Sequence, residues 1–262
     1  MERWHNRVAV ITGASSGIGA ATLEDLATAG VTVVGLSRRP NRINKKRLTF
    51  PVDVQCRVHA LECDITNEEN VKSAFKWVED HLGGTDILIN SAGVLYQGCL
   101  SDENSTHHIR NTFDVQIMGT VFCTREAFQS MKRRNFDGHV IHINSIHGHR
   151  VPNLFNIDSH FFTNYSASKY AVTAMNEVYR QEFANAGTRV KVTSISPGLT
   201  CTPIANNLIV GIDVPVLNAH DVSNAILYCL GTPPHVQEWI ESTAHKRVKV
   251  NKSSYIYHWE KN

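Results

Sequence analysis

Short apolar runs rich in β-branched residues alternate with amphipathic segments of helix length along most of this 262-residue chain. Six runs have the character of strands: Val8–Thr12, Thr32–Leu36, Val58–Glu62, Ile87–Asn90, His139–Ile143 and Lys191–Ile195. Five segments have the character of helices: about Gly17–Ala29, Glu68–Leu82, Phe113–Arg133, Tyr165–Ala186 and Ala219–Leu230. Strands that are apolar along most of their length are typical of a parallel sheet buried on both faces. The alternation therefore predicts a single α/β domain over residues 1–262, with a doubly wound parallel sheet and helices on both faces.

A glycine-rich segment, Thr12-Gly-Ala-Ser-Ser-Gly-Ile-Gly19, joins the first predicted strand to the first predicted helix. Glycine permits a tight turn out of the strand, a close approach of backbone to a pyrophosphate, and close packing of helix on sheet. The free N–H groups and the positive dipole end of a helix start also favour a phosphate. The segment therefore predicts a Rossmann-like dinucleotide site whose loop residues are Gly13, Ser15, Ser16, Gly17, Ile18 and Gly19.

Four further motifs follow in order along the chain. They are Asn90-Ser-Ala-Gly93 after the fourth strand, Ser145 after the fifth, Tyr165-x-x-x-Lys169, and Pro197-Gly198 after the sixth. With the glycine-rich segment, they resemble the classical short-chain dehydrogenase/reductase family over about residues 6–240. Within that family, Gly148-His-Arg-Val-Pro152 and the residues after Tyr165 are similar to the insect farnesol dehydrogenase-like branch and its vertebrate counterpart, dehydrogenase/reductase family member eleven. The resemblance implies a nicotinamide-dependent enzyme acting on the CH-OH group of donors.

The candidate catalytic residues are Ser145, Tyr165 and Lys169. Tyr165 and Lys169 are four residues apart, so a helix places both side chains on one face. Tyrosine has a reference pKa of about 10 and is a poor base at neutral pH. The Lys169 ammonium and the positive nicotinamide of an oxidised cofactor favour the phenolate, which lowers the pKa of Tyr165. The resemblance implies that Tyr165 is the general acid/base and that Ser145 hydrogen-bonds the substrate oxygen.

One catalytic position departs from the family pattern. The family usually carries asparagine three residues before Gly119, where it supports a water that links the lysine to solvent, but this chain has Gln116. Glutamine keeps the amide and adds a methylene, and a misplacement of about 1 Å can cost roughly 100-fold in rate. Either Gln116 fills the catalytic role imperfectly or the proton relay is altered. From the sequence, Gln116→Asn is expected to preserve or raise turnover.

The predicted cofactor is NADP(H), because the second strand is followed by Ser37-Arg38-Arg39. An NAD-selective site usually places an acid at this point, bonded to the ribose hydroxyls. Here two guanidinium groups, Arg38 and Arg39, can pair with a ribose 2′-phosphate instead.

The resemblance implies the remaining cofactor contacts. Asp64 and Ile65 are expected on the adenine side, and Asn90, Ala92 and Gly93 are expected to form the ribose-side wall. Thr202 is expected to bond the nicotinamide carboxamide, and the other candidate cofactor-binding residues are Tyr165, Lys169, Pro197, Gly198 and Thr200.

The candidate substrate residues, Leu95, His147, Phe155 and Leu199, fall in loops expected at the carboxyl ends of the strands. Apolar side chains there favour a small lipophilic alcohol or carbonyl, and the resemblance implies a farnesol-like isoprenoid or another hydrophobic ketone or aldehyde. An equally weighted alternative is that they pack the loop 146–164, which has no convincing helix or strand, onto the body. Other readings of the function are a steroid or general carbonyl reductase, and a catalytically weak or silent cofactor-binding relative.

The net charge of +2 argues against a nucleic-acid partner and against a membrane-surface protein. Six basic residues nevertheless lie between positions 38 and 47, and a nucleic-acid-binding cluster there would show steep salt dependence. Beyond the two arginines at its start, Arg42, Lys45, Lys46 and Arg47 are interpreted as a solvated loop.

The remaining expectations concern metals, membranes and assembly. His107-His108 and His147-x-His149 lack cysteine or acidic partners at metal-site spacing, so no metal is expected. No apolar run approaches the roughly 18 residues that span a bilayer. The six cysteines are expected to be free thiols of a cytoplasmic protein. The resemblance implies a homodimer or homotetramer, and the tail 244–262 is not assigned to any element.

Overall fold

A parallel sheet of seven strands runs through the middle of the molecule in the computed structural model, which describes residues 1–151, 163–205, 215–236 and 239–242. The strands are β1 (Val8–Thr12), β2 (Thr32–Ser37), β3 (Val58–Glu62), β4 (Ile87–Asn90), β5 (His139–Ile143), β6 (Lys191–Pro197) and β7 (Trp239–Ser242). Their order is β3-β2-β1-β4-β5-β6-β7. The chain winds from β1 outward to β3 and then returns to the other side of β1, so the winding direction reverses between β1 and β4.

Helices cover both faces of the sheet. They are α1 (Gly17–Thr28), α2 (Pro40–Arg47), α3 (Val52–Gln55), α4 (Glu68–Leu82), α5 (Thr106–Phe113), α6 (Gly119–Arg133), α7 (Thr163–Asn185) and α8 (Ala219–Gly231). A π-helical segment, Asp114–Met118, joins α5 to α6, and short 3-10 turns span Glu2–Trp4 and Ile146–Gly148. Core contacts place α1 and α8 on one face and α4, α6 and α7 on the other.

The strands supply side chains alternately to two separate cores. Ile11 of β1 packs in the core that includes Leu23 of α1 and Ile226 of α8. Its neighbour Val10 packs in the core on the opposite face, which includes Met131 of α6. Burial of each such side chain contributes about 1.5–3 kcal/mol, which explains why the strands are apolar on both faces.

The doubly wound parallel α/β fold that the sequence predicts is confirmed. Four strands have the predicted bounds, while β2 and β6 extend to Ser37 and Pro197, and β7 had no counterpart in the sequence analysis. The predicted helix over 113–133 is wrong at its start, because helical structure begins at Thr106 and passes through the π-helical segment. Gly119 ends that segment where a Cβ would lie 2.6 Å from Ile65 Cδ1, so only glycine fits the packing.

The interpretation of residues 42–47 as a solvated loop is wrong, since they belong to α2. Pro40 begins this helix, where its missing N–H costs nothing. Ile43 is buried, Lys46 forms an ion pair of 2.7 Å with Glu24, and Arg47 Nη1 donates to Val58 O at 3.2 Å. The basic side chains therefore share a helix that one apolar residue anchors to the core.

The expectation that residues 146–164 contain no element is also wrong at both ends, where the 3-10 turn Ile146–Gly148 and the start of α7 lie. Residues 152–162 and the tail 244–262 lie outside the described residues.

Two histidines of β5 are buried and hydrogen-bonded. His139 Nε2 lies 2.8 Å from Thr193 Oγ1, and His142 Nδ1 lies 3.2 Å from Asn176 Oδ1. Burial lowers the pKa of both imidazoles, that of His142 to about 4, so both are neutral at pH 7.

Lowering the pH from 7 to 5 is expected to destabilise the protein through these histidines. A histidine of the unfolded chain has a pKa near 6.5, so below that pH the unfolded state takes up protons that the folded state does not, and the folded state protonates His142 only near pH 4. For His142 alone, the loss between pH 6.5 and pH 5 is about 2 kcal/mol. Urea unfolding at both pH values measures it, and His142→Gln should flatten the pH dependence while the exposed control His81→Gln should not. An unchanged slope in His142→Gln would contradict the assignment.

Candidate active site

A cavity of about 740 Å³ opens at the carboxyl ends of the strands, where the winding reverses between β1 and β4. Open parallel sheets bind ligands in this crevice, and the volume is in the range of cofactor sites. Most predicted cofactor residues line it: Gly13, Ser15, Ser16, Gly17, Ile18, Arg38, Arg39, Asp64, Ile65, Ala92, Gly93, Tyr165, Lys169, Pro197, Gly198, Thr200 and Thr202. The fold therefore brings segments that are distant in sequence to one site.

Two predicted cofactor residues, Gly19 and Asn90, are outside the cavity lining and support it from behind. A Cβ on Gly19 would lie 2.6 Å from Gly13 O, so α1 can begin this close to the loop only with glycine there. Asn90 is buried, and its Nδ2 donates to Thr124 Oγ1 at 3.0 Å. Asn90 therefore lies behind the cavity at the end of β4, where its amide nitrogen is bonded within the fold.

The loop after β1 is held against the loop after β4. Gly13 has φ +68°, and a Cβ on it would lie 2.8 Å from Ala92 Cα. Thr12 Oγ1 accepts hydrogen bonds from the backbone N–H groups of Ser91, at 3.0 Å, and Ala92, at 3.1 Å. The sequence analysis did not single out Thr12, although it is the first residue of the glycine-rich segment.

A third segment, the loop after β6, closes over the glycine loop. Gly17 has φ +56°, and a Cβ on it would lie 3.1 Å from Thr202 Cγ2. Thr202 Oγ1 donates to Thr200 O at 3.3 Å, and Thr200 Oγ1 donates to Gly198 O at 3.0 Å. These internal bonds shape the loop whose residues 197–200 and 202 line the cavity.

The edge of the cavity beyond β2 is positively charged. Arg38 and Arg39 are exposed there, and neither guanidinium pairs with an acid among the described residues. The backbone N–H of Arg39 donates to Ser37 Oγ at 2.9 Å, which fixes the turn between β2 and α2. Both side chains are thus available to an anionic ligand.

Asp64 and Ile65 form the turn after β3. Asp64 Oδ1 accepts from the backbone N–H of Thr66 at 3.0 Å and from its hydroxyl at 2.8 Å. Ile65 is buried against Gly119. Cys63, buried beside them on the cavity wall, was not predicted from the sequence.

Ser145, Tyr165 and Lys169 meet on the cavity wall at the end of β5. Ser145 Oγ accepts from the backbone N–H of His147 at 3.1 Å, which begins the 3-10 turn, and Ser145 also hydrogen-bonds Tyr165. Lys169 is buried, donates from Nζ to Ile143 O at 2.8 Å, and its Nζ lies 5.6 Å from the centre of the Tyr165 ring. The carbonyl of β5 thus fixes the ammonium beside the tyrosine.

Burial decides the protonation of this group. It raises the pKa of Tyr165 to about 12, against the opposing effect of the Ser145 hydrogen bond, and lowers the pKa of Lys169 to about 8. At pH 7, Tyr165 is therefore a neutral phenol and Lys169 is charged. The sequence predicts that Lys169 and a bound oxidised nicotinamide together lower the pKa of Tyr165, whereas in the protein alone desolvation outweighs the Ser145 hydrogen bond and raises it.

Gln116 is buried on the cavity wall within the π-helical segment. Its Nε2 donates to Ser168 Oγ at 2.9 Å, a contact that the sequence analysis did not foresee. Ser168 lies within the Tyr165-x-x-x-Lys169 motif, but the motif does not indicate which residue its hydroxyl contacts.

Three of the four predicted substrate residues line the cavity: Leu95, His147 and Leu199. Phe155 lies outside the described residues. The His147 ring approaches Tyr165 edge-on with 6.2 Å between ring centres, and burial lowers its pKa. Val94, Ile146 and Ile204, not predicted from the sequence, add apolar surface to the same wall.

All six cysteines are free thiols. Within the described ranges, no cluster of three or more histidine, cysteine or acidic side chains is arranged to hold a metal ion. No helix in that part of the chain has the length and apolar character that crossing a membrane requires.

The chain is similar to known proteins over most of its length. The model of the short chain dehydrogenase family matches residues 7–211. The chain is 48% identical over 237 residues to the farnesol dehydrogenase of Aedes aegypti, covering 90% of this chain and 95% of that protein. It is 42% identical over 252 residues to dehydrogenase/reductase SDR family member 11 of Mus musculus, covering 90% and 93%. A solved short-chain type dehydrogenase/reductase from Mycobacterium marinum has a TM-score of 0.78 at 22% identity, covering 92% of this chain and 94% of that one.

Gly13→Ala is expected to weaken both the fold and dinucleotide binding. A left-handed φ costs alanine roughly 1–2 kcal/mol, and the added Cβ also forces the loop away from Ala92. Gly83→Ala is the matched control, because Gly83 has φ +80° with nothing within 4 Å of the added Cβ. Thermal unfolding and fluorescence titration with NADPH measure the two effects. Equal affinity in Gly13→Ala and Gly83→Ala would contradict the role of the Gly13 contact.

Proposed function

The chain belongs to the short-chain dehydrogenase family, and we propose that it is an NADP(H)-dependent oxidoreductase that interconverts a lipophilic alcohol and its carbonyl. Enzymes of this family bind a nicotinamide cofactor. The observation that carries the proposal is one cavity lined by the glycine loop, by the pair Arg38 and Arg39, and by Ser145, Tyr165 and Lys169. The silent cofactor-binding alternative is disfavoured because these three catalytic candidates are intact and line the same cavity.

The residues present fit a dinucleotide phosphate. Gly13 and Gly17 line the cavity and have no side chains, so backbone can approach a ligand there. Arg38 and Arg39 stand at the edge of the same cavity and are expected to hold a ribose 2′-phosphate. Each charge-assisted hydrogen bond contributes about 1.5–3 kcal/mol, so the pair supports NADP(H) over NAD(H).

A bound nicotinamide exchanges hydride with the carbon of the substrate. In reduction, Tyr165 donates its proton to the carbonyl oxygen, and Ser145 donates a hydrogen bond to the same oxygen as charge develops there. The Lys169 ammonium, held by Ile143 O, stabilises the tyrosinate left behind. Because Tyr165 holds a proton at neutral pH, reduction can begin from this state, whereas oxidation requires its prior removal.

The proposed substrate is a farnesol-like isoprenoid or another hydrophobic ketone, aldehyde or alcohol. Apolar side chains that line the same cavity as Tyr165, including Leu95, Ile146 and Leu199, support it, as does the likeness to the mosquito farnesol dehydrogenase. A steroid or general carbonyl reductase is the second candidate, supported by the same apolar wall. His147 is the polar side chain expected to orient the substrate in the pocket.

We further propose that the protein is cytoplasmic and assembles as a homodimer or homotetramer through its long helices. Tyr170 and Val178 of α7 and Met118 of the π-helical segment are exposed apolar residues that support such an interface.

The test of the proposed function is NADPH oxidation, followed by absorbance, with a panel of isoprenoid, steroid and quinone carbonyls. The corresponding alcohols with NADP⁺ cover the reverse direction. Turnover is expected on an isoprenoid carbonyl or alcohol, and Tyr165→Phe should lower kcat by at least about 100-fold, in the range of general acid–base catalysis. Absence of turnover on the whole panel, with cofactor binding retained, would favour the silent reading.

Arg38→Asp is expected to move cofactor preference toward NAD(H). Loss of one charge-assisted bond of about 1.5–3 kcal/mol corresponds to a rise of roughly 10- to 150-fold in the Kd for NADPH. The control is Arg42→Asp, which makes the same charge change on an exposed α2 residue outside the cavity lining. Unchanged NADPH affinity in Arg38→Asp would refute the 2′-phosphate assignment.

A further inference from the structure

A chain of buried hydrogen bonds connects the π-helical segment to the catalytic turn of α7. Gln116 is 2% exposed and Ser168 is fully buried. Gln116 Nε2 donates to Ser168 Oγ at 2.9 Å, and Ser168 Oγ donates to the backbone carbonyl of Tyr165 at 2.7 Å. The side chain of Gln116 therefore reaches the backbone of Tyr165 through a single intermediate.

The direction of these bonds determines how the Gln116 amide is oriented. A serine hydroxyl has one proton, and Ser168 uses it toward Tyr165 O. Ser168 must then accept from Gln116, which turns the amide nitrogen toward α7. The amide oxygen faces the opposite way, 3.7 Å from where a Cβ on Gly93 would lie, and has no partner among the described residues. It is left as a buried acceptor beside Gly93.

The length of glutamine is what permits this contact. Asparagine is shorter by one methylene, so its amide nitrogen would fall short of Ser168 Oγ unless the helices moved together. Lys169 is held separately by Ile143 O, so the contact acts on the turn and not on the ammonium. Ser168 donates to the backbone carbonyl of Tyr165, and the phenol of Tyr165 hydrogen-bonds Ser145.

We propose that Gln116 is a positioning residue that acts through Ser168 to hold the turn of α7 bearing Tyr165 and Lys169. The inference rests on the proposed oxidoreductase function, in which Tyr165 exchanges a proton with the substrate oxygen and Lys169 stabilises the tyrosinate. It reverses the expectation from the sequence, because Gln116→Asn should now lower turnover. A misplacement of about 1 Å in the tyrosine can cost roughly 100-fold in rate, so a fall of about 10- to 100-fold in kcat is expected.

The experiment is a double-mutant cycle. Gln116→Met keeps the length of the side chain without its hydrogen bonds, and Ser168→Ala removes the intermediate. Each should lower kcat by a similar factor, and the double variant should lower it no further, since both remove the same contact. The Michaelis constants should change by less than about twofold. Values of kcat are expressed per cofactor site counted by NADPH titration, so that a loss of folded protein cannot imitate a loss of kcat.

Amide hydrogen exchange provides a readout that does not require activity. Peptides spanning residues 163–170 should exchange faster in Gln116→Met and Ser168→Ala than in the native protein. The control is Asn176→Ala, which removes a hydrogen bond to His142 about three turns after Tyr165 in α7. This variant should change neither the exchange of residues 163–170 nor kcat. If the native protein turns over nothing on the panel, the proposed function fails while hydrogen exchange still tests the contact. Additive losses in the cycle, unchanged exchange, or higher turnover in Gln116→Asn would overturn the positioning role.

Discussion

The close contact between the loops after β1 and β4 is the constraint on which the site depends. Thr12 Oγ1 holds the backbone of Ser91 and Ala92, and Gly13 lies where a Cβ would meet Ala92 Cα at 2.8 Å. The winding of the sheet reverses between these two strands, so a crevice must open at their carboxyl ends. Glycine and threonine keep the two loops together while leaving that crevice accessible. The other segments of the site follow the carboxyl ends of their own strands, and these ends lie at the same edge of the parallel sheet.

Burial sets the protonation of the proposed catalytic residues Tyr165 and Lys169. The same desolvation that raises the pKa of Tyr165 to about 12 lowers that of Lys169 to about 8, because it disfavours the charged form of each. The result at neutral pH is a phenol with its proton beside an ammonium, which suits a tyrosine that must donate. The hydrogen bond from Ser145 orients Tyr165, and the backbone carbonyl of Ile143 orients Lys169.

Most of the sheet could be predicted because β1, β3, β4 and β5 are mostly apolar, and their bounds agree with those predicted from the sequence. The secondary-structure prediction failed where the local composition is polar but the segment packs against the core. Helix α2 looked like a solvated loop because its only buried residue is Ile43 among basic neighbours. The contacts of Thr12 and Ser168 could not be predicted, since hydroxyl partners are set by loops and helices far apart in sequence.

The sequence by itself determined the family, the parallel fold and the identity of the candidate catalytic and cofactor residues, because strand periodicity and motif spacing are local properties. Only the tertiary structure decided how those residues are charged and what they touch. The pKa of Tyr165 depends on burial by several segments, and the role of Gln116 depends on where α7 crosses the π-helical segment. Desolvation and hydrogen-bond direction arise from packing between distant segments, and no local pattern records them.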